Sequence, residues 1–271
     1  MPSAAPLSSV IAITGASAGI GRAVAERAAA AGAAVVLSAR RADRLDDVVR
    51  GITATGGRAV AVPGDVTRVD DMQALVRRAV EHFGRLDVML CNAGIGYHET
   101  FQATPPEVMR RLMDTNVMGT LYAAHAAVPQ FLAQQSGHLI AVSSIVGRRG
   151  ISGAAVYSGT KAAQIALIEA IRAEMRGPNL HASLVYPVST TTEFRDAIKR
   201  DYGHEIVGRG PRQSAEYVAD TIIDCIRHPR PEVYPYRRAK LLAILSVIAP
   251  GFADRLVRRF ERRATHKVDH A

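Results

Sequence analysis

The chain contains no tryptophan and only two cysteines, Cys91 and Cys225. Two thiols cannot build a disulfide framework, and neither a C-x-x-C nor an H-E-x-x-H spacing occurs. Disulfide-stapled scaffolds and the common zinc motifs are therefore excluded. The nine histidines are scattered, and no metal centre is expected. The near-apolar stretch 241–249 has nine residues, against the ~20 needed to cross a bilayer. The opening Met1-Pro2-Ser3-Ala4-Ala5-Pro6 lacks the basic-then-apolar order of a secretory signal. Together these absences predict a reducing, cytoplasmic setting.

Acidic residues are scarce at one end only. Residues 237–271 hold nine basic side chains against three acidic ones, a net of +6, which leaves +3 of the total +9 for the rest of the chain. A nearly balanced body argues against a nucleic-acid-binding domain, and no nucleic-acid partner is expected. The hydrophobic share, 48%, is that of a folded core. The length of 271 residues allows one large domain or two small ones. No linker, low-complexity segment or internal repeat divides the chain, so one domain over 1–271 is the better count.

Short apolar runs alternate with longer helical stretches. Residues 10–13, 34–38, 59–62, 86–90, 138–142 and 182–185 read as strands, with a short seventh at 232–234. Residues 21–31, 42–55, 70–83, 105–134 and 155–175 read as helices, closed in turn by Gly32, Gly56-Gly57 or Gly177-Pro178. Pro129 predicts a kink or an end within 105–134. Strands that are apolar throughout, each followed by a helix, indicate an α/β fold with a doubly wound parallel β-sheet, about seven strands covered by helices on both faces. Residues 188–213 are the least regular stretch and follow a strand's C-terminal end, where a substrate lid is expected.

Thr14-Gly15-Ala16-Ser17-Ala18-Gly19-Ile20-Gly21 lies between the first strand and the first helix. Glycines at 15, 19 and 21 permit a tight turn and close approach to a pyrophosphate, and the helix start aims its N–H groups there. A plain βα turn would need one glycine. Ser17 and Ile20 belong to the same candidate nucleotide loop. After the second strand comes Ser38-Ala39-Arg40-Arg41. The carboxylate that binds a ribose 2′-OH is missing, and Arg40 could hold a 2′-phosphate. This favours NADP(H), with NAD(H) as the alternative. Asp65-Val66 and Asn92-Ala93-Gly94 fall at two further strand ends, where they could line the nucleotide site.

Tyr157 and Lys161, four apart at the start of a long helix, share one face. A free tyrosine is a poor base at neutral pH, and a nearby ammonium lowers its pKa. Ser144 follows the fifth strand and could hydrogen-bond a substrate oxygen. Asn116 is expected mid-helix, where its low propensity suggests a polar task in the interior.

In these residues the chain resembles the short-chain dehydrogenase/reductase family, in its single-domain Rossmann form with a Y-x-x-x-K site. The matching elements are Thr14-Gly15…Gly19…Gly21, Asp65, Asn92-Ala93-Gly94, Asn116, Ser143-Ser144, Tyr157…Lys161 and Pro187, in the family's order. The resemblance implies roles. Tyr157 would be the general acid or base, Lys161 would lower its pKa and hold the nicotinamide ribose, and Ser144 would orient the substrate oxygen. Asn116 would anchor a water joining Lys161 to solvent, while Pro187 and Thr192 would adjoin the cofactor. It also implies a homo-oligomer. Two departures stand out. Val188 and Thr190 replace the glycine and valine of the family's P-G-x-V-x-T, and Ala18 replaces the basic residue that NADP-preferring members often carry.

The expected pocket wall is Ile95, Gly96, Tyr97, Ile145, Val146, Ile151 and Val188, mostly apolar, which favours a hydrophobic carbonyl or secondary-alcohol substrate. The tail 237–271 reads as a basic extension with an apolar head. Asp254 could cap a helix with Leu256, Val257 and Phe260 on one side and arginines on the other, so residues 241–263 are a membrane-surface candidate. So short an amphipathic piece favours instead packing against the body or a second copy, with a solvated basic face. Two rival functions remain: a non-catalytic NADP(H)-binding sensor or scaffold, against which the intact Ser144, Tyr157, Lys161 and Asn116 argue, and a peripheral membrane interaction protein.

Overall fold

A computed structural model of the chain describes residues 6–203, 212–252 and 255. Its strands are β1 (Val10–Thr14), β2 (Ala34–Ser38), β3 (Arg58–Ala61), β4 (Val88–Cys91), β5 (Gly137–Val142), β6 (Leu180–Val185), β7 (Thr190–Thr191), β8 (Gln213–Ser214) and β9 (Glu232–Val233). Seven of them form one parallel sheet in the order β3-β2-β1-β4-β5-β6-β9, while β7 and β8 pair separately. The helices are α1 (Gly19–Ala30), α2 (Ala42–Ala54), α3 (Val69–Phe83), α4 (Pro106–Leu112), α5 (Gly119–Gln134), α6 (Ile145–Arg148), α7 (Ala155–Glu174), α8 (Phe194–Tyr202), α9 (Ala215–Arg227) and α10 (Arg237–Ile248).

The central strands β1, β2 and β4 are almost wholly apolar because both of their faces are buried. Along β1, Ile11 and Ile13 point into a layer shared with α1, α2 and α9, while Val10 and Ala12 point into the layer of α3, α5 and α7. Each large aliphatic side chain buried this way contributes about 1.5–3 kcal/mol. Cys91 lies in the second layer and Cys225, on α9, in the first; both are buried thiols. The chain leaves β1 toward β2 on one side and reaches β4 on the other. The β1–β4 seam is thus the point where winding reverses, and a crevice opens beyond the strands' C-terminal ends.

Pro129 does not end its helix: α5 continues past it to Gln134. Tertiary contacts beyond the proline hold the last turn. Phe131 is fully buried, packed where Gly137 leaves room for its ring, and Gln134 clamps Leu86 through both its amide atoms (3.0 and 2.7 Å). The single helix expected over 105–134 is instead α4, a π-helical turn (Met113–Met118) and α5. The stretch 188–213 is not structureless, since it contains α8 and the short β7–β8 pair. Helix α9 has no counterpart in the reading of the sequence. It is capped by Ser214, whose hydroxyl accepts from Tyr217 N at 3.1 Å. The apolar run 241–249 lies in α10. The amphipathic helix expected from Asp254 falls, apart from Arg255, outside the described residues, as do 204–211 of the lid segment.

Candidate active site

A cleft of about 1820 Å³ runs along the C-terminal ends of β1, β2, β4, β5 and β6. Its nucleotide end is built from the β1–α1 turn. Gly15 adopts φ +67° and its missing side chain lets the turn press on the backbone of Ala93. Gly21 packs against Gly15 and the Asn92 amide so closely that a Cβ would lie 2.5 Å from both. Asn92 lines the cleft, and its Nδ2 donates to Thr14 O (3.0 Å) and Gly15 O (3.3 Å). Thr14 Oγ1 returns the tie by accepting from Asn92 N (3.0 Å) and Ala93 N (3.1 Å). These bonds weld the two turns that flank the seam.

Helix α1 starts at this turn with Ala18 at the N-cap, no side-chain cap and no acidic residue in its first turn. Its orphan N–H groups face a cleft lined by Ser17, Ala18, Gly19 and Ile20, a ready cradle for a phosphate. A nucleotide therefore fits the residues present. Asp65 and Val66 line the same end. Asp65 Oδ1 accepts from Thr67 N and Oγ1, both at 2.9 Å, and Val66 packs where Gly119 has no side chain. Arg40 is exposed on the cleft wall. Two further cations, not singled out from sequence, stand beside it. Arg41 donates to Ser17 Oγ (3.0 Å), and Arg44 binds Glu193 (2.6 and 2.8 Å). Glu193 follows Thr192, which abuts Gly19, so this acid reaches across the groove from the lid to the end of β2.

At the other end, Ser144, Tyr157 and Lys161 all line the cleft. Ser144 follows β5 and caps α6, accepting from Val146 N at 3.4 Å. Its hydroxyl also hydrogen-bonds the Tyr157 side chain. Burial pushes the Tyr157 hydroxyl up to about 12, and the bond from Ser144 draws it back only in part. The expected lowering by Lys161 is not what the geometry gives. The Lys161 amine lies 5.8 Å from the Tyr157 ring centre and donates to Val142 O (2.9 Å) and Gln164 Oε1 (3.1 Å). Burial pulls the amine itself down to about 7, so near neutral pH it is only about half charged.

Asn116 is fully buried in the π turn. Its side chain is saturated: Oδ1 accepts from Ile95 N (2.8 Å), and Nδ2 donates to Ile95 O (2.9 Å) and Thr160 Oγ1 (3.0 Å). Its carbonyl accepts from Gln164 Nε2 at 2.8 Å. Gln164 therefore joins Lys161 to Asn116, a link not singled out from sequence. The signal was there: a polar residue three after Lys161 on the helix's inner face.

Pro187 and Val188 line the cleft between the two ends. All seven expected wall residues line it too, and α8 closes over them. Phe194 occupies the space that Gly96 leaves open and stands 6.0 Å from the Tyr157 ring. Tyr202 meets Tyr97 edge to face at 4.9 Å. The outer rim is more charged than the sequence suggested, with Glu107, Arg110, Asp114 and Arg195 among the lining residues.

Behind Ser144, Arg148 at the end of α6 donates to Tyr186 Oη (2.6 Å) and pairs with Glu169 and Glu232. Among the described residues, no group of three or more His, Cys, Asp or Glu could hold a metal ion.

Comparison with known proteins places the chain in a family. Residues 9–203 match the short chain dehydrogenase family. An uncharacterized oxidoreductase of Listeria innocua is 40% identical over 191 residues, covering 70% of this chain and 77% of its own. The ketoacyl reductase HetN of a Nostoc species is 28% identical over 94% of this chain and 92% of its own. Among solved structures, a short chain dehydrogenase/reductase from Burkholderia phymatum in complex with NAD superimposes with a TM-score of 0.80 at 24% identity, covering 88% of this chain and 92% of that one. A short-chain type dehydrogenase/reductase from Mycobacterium marinum gives 0.75 at 28% identity, over 84% of this chain and 94% of that one.

Proposed function

The chain belongs to the short chain dehydrogenase family of oxidoreductases, and on that premise we propose that it interconverts a carbonyl and a secondary alcohol on a hydrophobic small molecule, using NADP(H). The observation that carries this reading is the meeting of Ser144, Tyr157 and Lys161 in one cleft with an uncapped, glycine-lined helix start. Gly15, Gly19 and Ile20 would cradle the pyrophosphate, and Ala93, Gly94, Pro187 and Thr192 would flank the nicotinamide half. A bound nicotinamide cofactor supplies the hydride.

The chain's own residues handle the proton. A hydroxyl held near 12 by burial is protonated at neutral pH, as a donor to a nascent alkoxide must be. Ser144, bonded to that hydroxyl, orients the substrate oxygen beside it. Lys161, held by Val142 O and by Gln164, which is itself tied to the Asn116 carbonyl, can return a proton to Tyr157 once it turns toward it and then regain one from water in the cleft. The lid, α8, excludes water by laying Phe194 over the reacting end.

Preference for NADP(H) rests on Arg40 and on the absence of a carboxylate at Ala39, supported by Arg41 beside Ser17. Homo-oligomeric assembly is part of the same reading.

Following NADPH absorbance across ketones, aldehydes and sterols tests the proposal. Tyr157→Phe should keep NADPH binding and reduce turnover by about 10²–10⁴-fold. Turnover unchanged across that panel would defeat the mechanism.

A further inference from the structure

Helix α10 buries small residues and exposes large ones. Ala239, Ala243 and Ser246 face the body, on the side where α6 lies. Outward stand Leu241, Ile244, Val247 and Ile248, with 68%, 46%, 78% and 77% of their surface exposed. Phe252, just beyond the helix, is 53% exposed. A surface helix ordinarily does the reverse. Single exposed aliphatics need no explanation, but a contiguous stripe does.

The first turn adds charge of one sign. Arg237, Arg238 and Lys240 stand there with no acidic neighbour in the turn, and no Asp or Glu occurs anywhere in 235–253. Cations at a helix N-terminus oppose its dipole, so they do not serve the helix itself. None of the three forms a salt bridge to a carboxylate among the described residues. The sequence from 237 onward carries +6. Among the described residues no helix is long and apolar enough to cross a membrane.

We propose that the outer face of α10, with its basic first turn, docks on an anionic lipid surface. The apolar side chains enter the headgroup–acyl boundary while the arginines and Lys240 stay among the phosphates. The same charges disfavour a second copy on this face, because a two-fold contact through α10 would bring Arg237, Arg238 and Lys240 of each copy toward one another. Leu242, on the same helix, lines the cleft, so docking brings the cleft mouth beside the bilayer. The surface stands independently of the catalytic reading, and its test measures no turnover, so each can fail alone.

Flotation of the full chain with vesicles of phosphatidylcholine containing about one third phosphatidylserine should carry it to the top, and high salt should release it. Vesicles of phosphatidylcholine alone should retain far less. Val247→Asp with Ile248→Asp, both on exposed positions, should cut the floated fraction about tenfold. Arg237→Gln with Arg238→Gln should weaken binding to the anionic vesicles and leave the weak binding to neutral ones unchanged. A wild-type chain that stays at the bottom with anionic vesicles overturns the proposal. So does light scattering in which Val247→Asp with Ile248→Asp splits an oligomer while flotation is unaffected, since the stripe would then be an interface between copies.

Discussion

Lys161→Met removes a buried amine while keeping most of the side chain's bulk, and its effect should depend on pH in a way no surface lysine can imitate. In the folded chain burial pulls this amine from 10.5 down to about 7; unfolding returns it to water. Between those values the unfolded chain binds more protons, so stability must rise with pH. The contribution is complete above the unfolded pKa and is lost as pH falls through the folded one. From about pH 7 to about pH 9 the gain amounts to about 2 kcal/mol, or about 4–8 °C in Tm for a chain of this size. Few other resolved groups act in that window. His138, drawn down to about 3 by burial, has finished by pH 7, and Cys91, pushed up to about 12, begins to act only near the window's upper end. Urea unfolding of wild type and Lys161→Met, at both pH values and without added cofactor, isolates the term. Every other group cancels in the double difference, as does the cost of leaving Val142 O and Gln164 Oε1 without their donor. Wild type should gain on the variant by the stated amount. Parallel pH dependences would refute the argument, because the amine would then keep its proton in the interior and stand ready to act on Tyr157 throughout.

The remaining predictions concern neighbouring charges. Arg40→Asp should shift the NADP/NAD ratio of kcat/KM toward NAD by at least about tenfold, since a carboxylate repels a 2′-phosphate; an unmoved ratio would remove Arg40 from the selection. Glu193→Gln should tighten NADPH binding, measured by cofactor fluorescence titration, because the acid that occupies Arg44 also stands near the 2′-phosphate position; equal or weaker binding would argue against that competition. Arg148→Met takes from Tyr186 Oη its guanidinium donor and from Glu232 and Glu169 their paired cation, and should cost about 1–3 kcal/mol in thermal unfolding. Arg148→Lys should recover only part of this, because a point charge cannot reproduce the guanidinium's several contacts.

The central sheet was legible because its strands are apolar at consecutive positions. That pattern has one cause, burial on both faces, and it made the runs at 10–13, 34–38 and 138–142 stand out. The glycine turn and the Tyr157–Lys161 pair were legible because their chemistry is local in sequence. What stayed hidden depends on partners far along the chain. Glu193 meets Arg44 across 149 positions, and nothing near either residue announces it. The depressed amine of Lys161 follows from the shell that covers it, not from Tyr157 four residues away. Pro129 does not end α5 because local backbone chemistry is outweighed by Phe131 and Gln134, whose anchors lie on other elements. The π turn that holds Asn116 was invisible for a similar reason: its extra residue is accommodated by contacts to Ile95 and Thr160. Helix α9 should have been readable, since Ser214 caps a run with Val218, Ile222 and Ile226 at helical spacing.

The placement of the two cysteines offers a way to watch the sheet breathe. Each lies in a different layer, Cys91 beneath the cleft and Cys225 against the opposite face, and no third thiol competes for a label. Modification of either requires an opening that exposes it. Alkylation followed by peptide mass analysis would thus time the two layers separately. A ligand seated over the β4 turn should slow the Cys91 clock first, so the chain carries its own reporter of where binding tightens it.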